Sequence, residues 1–372
     1  MPEEASTAGS AMRVLYFGTY ERDYPRNAQV ISCLRGAGVD VVEQHESVWE
    51  GRRHSWQAGP GTAARLAAAE LRLFRRPTAD FDVLLVGYPG HLDLAAARRA
   101  AGGRPVVFNP LVSLTDTFVS DRRRFQPGSL PARALAAIDR YALRAADLTV
   151  ADTQTNAAYL AELGGLSPDR IDHCLVGAEE RLFRPGWSPQ EPFTFLFVGK
   201  LIPLHGLETI LAAAREAPEL RIRVVASGQL ERLLEARPPN VEWIRWVEYD
   251  ELPGELHGAG AALGIFGVSD KAQRVIPNKA FQALACGTPL VTADTPAARE
   301  LLVNDESALL VPPGDPKALV TALRRLAGDP ALTRRLAEGG NAAYRREASE
   351  KVLGARWREL LERALAVRSP RP

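Results

Sequence analysis

Residues 276–291 form the most informative stretch of the chain: Ile-Pro-Asn-Lys-Ala-Phe-Gln-Ala-Leu-Ala-Cys-Gly-Thr-Pro-Leu-Val. Its apolar residues recur at helical spacing and predict a helix with one apolar face. Pro277 suits the first helical position, where its missing N–H costs nothing, and Gly287 suits the C-terminal stop. A strand is predicted directly afterwards, at Pro289–Thr292. The stretch is therefore read as a helix followed by a strand.

The start of this helix breaks two local rules. Ile276, just outside the helix, has no side-chain oxygen that could cap the free N–H groups. Lys279 places a positive charge in the first turn, where the helix dipole disfavours it. A bound anion would resolve both, because free N–H groups at a helix N-terminus make a ready phosphate site. A solvated lysine on an uncapped helix is the alternative that these residues leave open.

The same stretch resembles the donor-site helix of the GT-B glycosyltransferases, of the glycosyltransferase family 4 type. The resemblance implies that Asn278, Lys279 and Gln282 meet the ribose and diphosphate of a nucleotide sugar. Family members usually carry Glu where this chain has Gln282, so the usual contact with the ribose is altered. A Glu at this position accepts from both ribose hydroxyls and makes the stronger hydrogen bonds, so Gln282→Glu is expected to tighten nucleoside diphosphate binding.

A second motif lies between a predicted strand and a predicted helix, at Gly199-Lys200-Leu201-Ile202-Pro203-Leu204-His205-Gly206. Gly199 and Gly206 allow a ligand to approach the backbone closely. The loop resembles the family's Gly-Arg-Leu-x-Pro-x-Lys-Gly loop, whose two basic residues contact the donor diphosphate. Lys200 and His205 occupy those two positions, so the resemblance implies the same role for them. An ordinary loop between a strand and a helix is the alternative.

Strands and helices alternate along the whole chain, which predicts parallel sheets. The predicted strands are Arg13–Gly18, Val39–Val42, Asp82–Val86, Pro105–Phe108, Leu148–Ala151, His173–Val176, Phe193–Val198, Arg221–Ala226, Val241–Val247, Ala261–Phe266, Pro289–Thr292 and Leu309–Val311. The alternation restarts at Phe193, so we expect an α/β protein with two doubly wound Rossmann-like domains. The GT-B resemblance implies that the two domains face each other across a cleft.

The expected division of the chain follows from this restart. Residues 1–11 are expected to be disordered, and residues 12–185 to form the acceptor-binding domain. A linker at 186–192 leads to the nucleotide-sugar-binding domain at 193–349. The resemblance implies that a C-terminal helix within 350–372 packs back on the first domain. Ligands of open α/β sheets bind beyond the carboxyl ends of the strands, which places the site between the domains.

Two polar residues of the first half are candidates for catalysis. His91 follows a predicted strand, at a position where the family often has a His facing the transferred sugar. Asp116 lies in another loop after a strand, and Asp93 is a weaker candidate of the same kind. For each of them, a polar loop residue without a catalytic role is an equally good interpretation.

Composition excludes several other classes. The chain has 372 residues, a net charge of +1 and three widely spaced cysteines. It has neither the basic stripe of a nucleic-acid binder nor an apolar run near the roughly 20 residues that span a bilayer. The cysteines show no metal or disulfide spacing and fit a reducing cytosol, so a cytoplasmic protein is expected. Asp80-Phe81-Asp82 has the Asp-x-Asp form of a metal site, but strand initiation explains it better.

The expected activity is transfer of a hexose from a nucleotide-diphosphate sugar, the co-substrate, to a small-molecule, glycan or lipid-linked acceptor. The resemblance implies retention at the anomeric carbon, with neither a metal nor another cofactor. Lys200 and Lys279 would stabilise the charge of the departing diphosphate. A sugar-nucleotide epimerase and a non-catalytic nucleotide-sugar-binding subunit remain as alternatives.

Overall fold

The computed structural model describes residues 12–22, 24–49, 60–75 and 79–368. It has two halves, each built on a six-stranded parallel sheet with helices packed against it. The expected α/β architecture with two doubly wound domains is confirmed. The segment 1–11, expected to be disordered, lies outside the described residues.

The first half contains strands β1–β6 and helices α1–α5. In chain order these are β1 Arg13–Gly18, α1 Pro25–Gly36, β2 Asp40–His45, α2 Pro60–Leu73, β3 Val83–Val86, α3 Leu94–Ala101, β4 Val106–Phe108, α4 Leu130–Ala145, β5 Leu148–Ala151, α5 Gln154–Gly164 and β6 Ile171–His173. The strand order is β2-β1-β3-β4-β5-β6, so the order reverses between β1 and β3.

The second half contains strands β7–β12 and helices α6–α12, and α13 follows it. These are β7 Thr194–Lys200, α6 Leu207–Glu216, β8 Arg221–Ser227, α7 Glu231–Glu235, β9 Val241–Ile244, α8 Leu252–Gly258, β10 Ala261–Leu263, α9 Asp270–Arg274, α10 Asn278–Cys286, β11 Leu290–Ala293, β12 Leu309–Val311, α11 Pro316–Gly328, α12 Pro330–Glu347 and α13 Glu350–Arg368. The strand order is β12-β11-β10-β7-β8-β9, with its reversal between β7 and β10.

The last helix, α13, packs against α1 of the first half. Its Trp357 is fully buried among apolar side chains of β1, β3 and α1. The two helices approach so closely that a Cβ added to Gly354 would lie 2.5 Å from the backbone oxygen of Cys33. Burial of a large aromatic side chain stabilises this contact by roughly 2–3 kcal/mol. No helix among the described residues is both long and apolar enough to cross a membrane.

The predicted linker, 186–192, lies against the second half. The backbone N–H groups of Gly186 and Ser188 donate to the carbonyls of Cys286 and His257. The indole N–H of Trp187 donates to the carbonyl of Ala259 at 2.8 Å. The segment is therefore hydrogen-bonded to the second half.

Several elements differ from the sequence-based expectation. The strand expected at His173–Val176 lies earlier, at Ile171–His173, where it pairs with β5. The helix predicted within residues 276–291 begins at Asn278, one residue after Pro277. A π-helical turn at Asp116–Asp121 and the short helices α7, α8 and α9 were not predicted. Elements of five to seven residues carry too few periodic positions to be recognised in a sequence.

Candidate functional site

A cavity of about 470 Å³ lies between the two halves, beyond the carboxyl ends of both sheets. From the second half it is lined by the end of β7, with Gly199 and Lys200, and by the first turns of α10, with Gln282. From the first half it is lined by the aromatic rings of Tyr24 and Tyr88, among others. Six of the seven donor-binding residues expected from the sequence line this cavity: Gly199, Lys200, His205, Asn278, Lys279 and Gln282. The seventh, Gly206, does not line it.

Lys279 is the most unusual side chain of the cavity. Its residue is only 9% exposed, and its ammonium nitrogen Nζ makes no hydrogen bond to any described residue. The nitrogen lies 3.7 Å from the centroid of the Phe197 ring. Burial lowers the pKa of Lys279 well below its ordinary value. Burying a cation without a hydrogen-bonding partner costs free energy, and an anionic ligand would supply the missing partner.

The first turn of α10 adds to this positive potential. Pro277 precedes the helix, and no described side chain caps its N-terminal N–H groups. Asn278 and Lys279 are the first two helical residues, and both line the cavity. The helix dipole and the Lys279 ammonium therefore act on the same place, which suits a phosphate group.

The two glycines of the β7–α6 loop permit close approaches that no other residue would. Gly199 has φ +144°, and a Cβ there would lie 2.9 Å from Nζ of Lys279. Gly206 has φ +67°, and a Cβ there would lie 2.5 Å from the backbone carbon of Phe266. Gly206 therefore lets the loop pack against the backbone of Phe266, whereas Gly199 leaves space for the side chain of Lys279.

The two basic positions of this loop differ in charge. Lys200 is exposed to the cleft, with its ammonium 6.0 Å from the centroid of the Tyr24 ring in the first half. His205 is buried, and its Nδ1–H donates to the carbonyl of Lys200. Burial and then the nearby Lys279 lower the pKa of His205 well below its ordinary value. This lowered pKa favours the neutral imidazole, with Nδ1 as the donor to Lys200, so the diphosphate contact expected for His205 stays a prediction.

Gln282 belongs to a hydrogen-bonded row of three side chains. Its amide nitrogen Nε2 lies 3.4 Å from the hydroxyl oxygen of Tyr249, which follows β9. That hydroxyl in turn donates to Oε1 of Glu179 at 3.1 Å. The other carboxylate oxygen of Glu179 is paired with Arg181 at 2.9 Å. Glu179 and Tyr249 lie outside the motifs that the sequence made recognisable.

The two residues expected to be catalytic do not line the cavity. His91 is 4% exposed; its Nδ1–H donates to the carbonyl of Pro89, and its Nε2 lies 3.4 Å from Asp139. Asp116 accepts a hydrogen bond from Arg274 of α9 at 2.8 Å and joins the two halves. The two His91 ring nitrogens and one Asp116 carboxylate oxygen thus contact protein groups in this structure, and a catalytic role for either residue stays a prediction.

Asp93, the weaker candidate, also has a structural place. Its carboxylate accepts from the backbone N–H and the hydroxyl of Thr19, at 2.7 and 3.0 Å. It therefore holds the turn that follows β1. Among the described residues, no group of three His, Cys, Asp or Glu side chains is arranged to hold a metal ion.

Charged side chains that the sequence did not single out complete the cavity wall. Lys271 donates to the hydroxyl of Thr117 at 3.0 Å and lies 3.9 Å from Asp121, so it bridges the two halves. Asp152 is buried at the end of β5, and burial raises its pKa to about 6. The rarity of lysine in this chain was the available signal for Lys271, whereas nothing in the sequence marks Asp152.

Comparison with known proteins agrees with this arrangement. Residues 4–174 match the family model of the glycosyl transferase 4-like domain, and residues 192–329 match that of glycosyl transferases group 1. The fold and the cleft define a two-domain protein of the GT-B class. The chain belongs to the group 1 glycosyltransferases, of the family 4-like type.

Relatives and solved structures of this kind are distant. A D-inositol 3-phosphate glycosyltransferase of Acidothermus cellulolyticus is 30% identical over 60% of this chain and 55% of its own length. LpsD of Rhizobium meliloti, a lipopolysaccharide core biosynthesis glycosyltransferase, is 25% identical over 49% of this chain and 52% of its own length. The chain thus spans about half the length of these relatives.

Two solved structures cover nearly the whole chain. Sucrose-phosphate synthase of Thermosynechococcus elongatus has a TM-score of 0.74 at 16% identity, over 96% of this chain and all of that one. HepE of Anabaena, in complex with UDP-glucose, has a TM-score of 0.68 at 15% identity, over 95% of this chain and all of that one. At such low identities the likeness concerns the fold.

Proposed function

We propose that this protein is a glycosyltransferase that moves a hexose from a nucleotide-diphosphate sugar to an acceptor bound by the first half. The observation that carries the proposal is Lys279, a buried ammonium without a hydrogen-bonding partner among the described residues, at the uncapped start of α10. Structural positions rarely keep such a group, because an unsatisfied buried donor costs about 1–3 kcal/mol. A diphosphate would satisfy both the ammonium and the helix N-terminus.

The lining of the cavity suggests one orientation for the donor in the proposed complex. The diphosphate lies between Lys279 and Lys200, and the ribose lies at Gln282, about one helical turn further along α10. The related HepE structure is a complex with UDP-glucose, which supports a nucleotide sugar as the donor class. The sugar then points toward the first half, where the acceptor binds.

The charge arrangement suits departure of a diphosphate. Negative charge develops on the leaving phosphate oxygens as the glycosidic bond breaks, and preorganised positive groups stabilise it most effectively. Lys279 and the N-terminus of α10 supply this positive charge together, and Lys200 adds to it. We propose that transfer proceeds with retention and needs no metal ion, as the family resemblance implies.

The acceptor belongs to the small-molecule, glycan or lipid-linked classes. One relative named above is a D-inositol 3-phosphate glycosyltransferase and the other a lipopolysaccharide core biosynthesis glycosyltransferase, which supports keeping several acceptor classes. The three cysteines of the chain are free and buried, which supports action in the reducing cytoplasm.

The test is a panel of UDP-, GDP- and ADP-sugars, with release of nucleoside diphosphate as the signal. Release that increases when an acceptor is added, with a glycosylated product, supports the proposal. Retention is read from the product's anomeric configuration by NMR, and metal independence from unchanged rates in EDTA. Conversion of the sugar nucleotide without an acceptor indicates an epimerase, and binding without turnover indicates a non-catalytic subunit.

A further inference from the structure

The row Gln282–Tyr249–Glu179 has a hydrogen-bond direction that its chemistry determines. Glu179, paired with Arg181, is a carboxylate that can only accept, so the single proton of the Tyr249 hydroxyl points at it. Burial, followed by the charge of Glu179, raises the pKa of Tyr249, so the phenol keeps that proton. The phenol oxygen can therefore only accept from its other neighbour, Gln282.

This direction settles how the Gln282 amide is oriented. Only the NH₂ group can donate, so Nε2 must face Tyr249, as the 3.4 Å contact has it. The carbonyl oxygen Oε1 then faces away from Tyr249 and makes no hydrogen bond to any described residue. Because Gln282 lines the cavity, this oxygen is available to accept from a ligand.

We propose that Glu179 and Tyr249 are positioning residues that hold the carbonyl of Gln282 toward a ribose hydroxyl. Because Glu179 takes the only hydroxyl proton of Tyr249, position 282 must carry a donor, and Gln282 matches Glu179 in this sense. The inference deepens the proposed function and rests on it, because it names how that site recognises the ribose. It also explains why this chain has Gln where the family usually has Glu.

The match follows from counting protons. With Glu at position 282, two carboxylates would face one hydroxyl that has only one proton to give. One carboxylate would then meet oxygen lone pairs, which is repulsive. The sequence-based expectation that Gln282→Glu tightens binding is therefore reversed in this environment. With Glu179→Gln as well, the new amide can donate to the phenol oxygen, and the hydroxyl proton can turn to Glu at position 282.

The experiment is a mutant cycle read by nucleotide binding. The wild-type protein is first titrated with UDP, GDP and ADP to find the nucleotide that binds. That nucleotide is then titrated into wild type, Glu179→Gln, Gln282→Glu and the double variant. The same four proteins are prepared in a Tyr249→Phe background. Circular dichroism and thermal unfolding check that each variant is folded.

We expect Gln282→Glu to weaken nucleotide binding roughly tenfold and the double variant to recover most of that loss, since the effects of groups in contact are coupled. In the Tyr249→Phe background the coupling between positions 179 and 282 should vanish, because the shared proton is gone. The inference would be overturned if the effects of Glu179→Gln and Gln282→Glu on binding simply add in proteins that retain Tyr249. Tighter nucleotide binding by Gln282→Glu alone would also overturn it.

A second readout separates positioning from general structural damage. Wild type should prefer the ribonucleotide to its 2′,3′-dideoxy counterpart, and Tyr249→Phe should reduce this preference, because the amide is free to rotate. Equal losses for both nucleotides would mean that Tyr249 only supports the fold. If no nucleotide binds to wild type, the proposed function itself fails, which is a different outcome from additive coupling.

Discussion

Replacing Lys279 by Met should strengthen the fold and weaken nucleotide binding at the same time. Met has a similar length and no charge, so the change removes the buried ammonium and little else. Removing an unsatisfied buried donor should raise the free energy of unfolding by about 1–3 kcal/mol. The lost cation–π contact with Phe197 offsets part of this gain, but a sulfur–aromatic contact replaces it at comparable strength. A net gain of about 1 kcal/mol is expected for the ligand-free protein.

The effect on binding has the opposite sign. A hydrogen bond to a charged group contributes about 1.5–3 kcal/mol, so nucleoside diphosphate should bind about 10- to 150-fold more weakly to Lys279→Met. The catalytic efficiency kcat/KM for the sugar nucleotide should fall by a similar factor, because the developing charge loses the same partner.

The assays are urea unfolding and calorimetric titration with the nucleoside diphosphate that binds to wild type. Lys317→Met is the matched control, since Lys317 is exposed in the first turn of α11. It should change the free energy of unfolding by less than about 0.5 kcal/mol and leave binding unchanged. A Lys279→Met protein that is destabilised yet binds nucleotide normally would refute the reasoning and make Lys279 a structural residue.

Three further results are expected. Because burial lowers the pKa of Lys279 below its ordinary 10.5, the unfolded chain binds more protons between the two values, so ligand-free stability should rise with pH there. Lys279→Met should lose that rise in urea unfolding at several pH values. Gly199→Ala should weaken nucleotide binding at least tenfold, because its Cβ meets the lysine, whereas Gly103→Ala, with positive φ and open space, should only lower stability by about 1–3 kcal/mol. Asp116→Ala should lower the free energy of unfolding by up to about 3 kcal/mol, since it leaves the half-buried Arg274 without its carboxylate. Unchanged stability with lost activity would instead favour a catalytic Asp116.

Sequence patterns predicted the layout of the fold because its central strands, such as β3, β4 and β5, are short, buried and apolar. β1, β5 and β12 were predicted with the bounds that they have in the structure. β6 was misplaced because an edge strand is set by its pairing with β5, which a single-sequence pattern does not contain. Helix α9 was missed because five residues give no clear period, although its Lys271 and Arg274 join the two halves.

Sequence patterns predicted one side of the candidate site better than the other. Lys279 and Lys200 could be found because they lie in motifs of contiguous residues that the cavity retains. Tyr249 and Glu179 could not, because only folding brings them beside Gln282 from positions 33 and 103 residues away in the sequence. His91 was a reasonable candidate by its place after a strand, but the side-chain direction that takes it away from the cavity is set by tertiary packing.

The central claim is that a donor diphosphate binds at Lys279 and the start of α10. The most direct measurement is a crystal structure of the protein with whichever of UDP, GDP and ADP binds most tightly. A phosphate oxygen is expected at about 2.7–2.9 Å from Nζ of Lys279, the usual length of a charged hydrogen bond. A nucleotide whose phosphates lie away from Lys279, with the ammonium still unpaired, would contradict the claim.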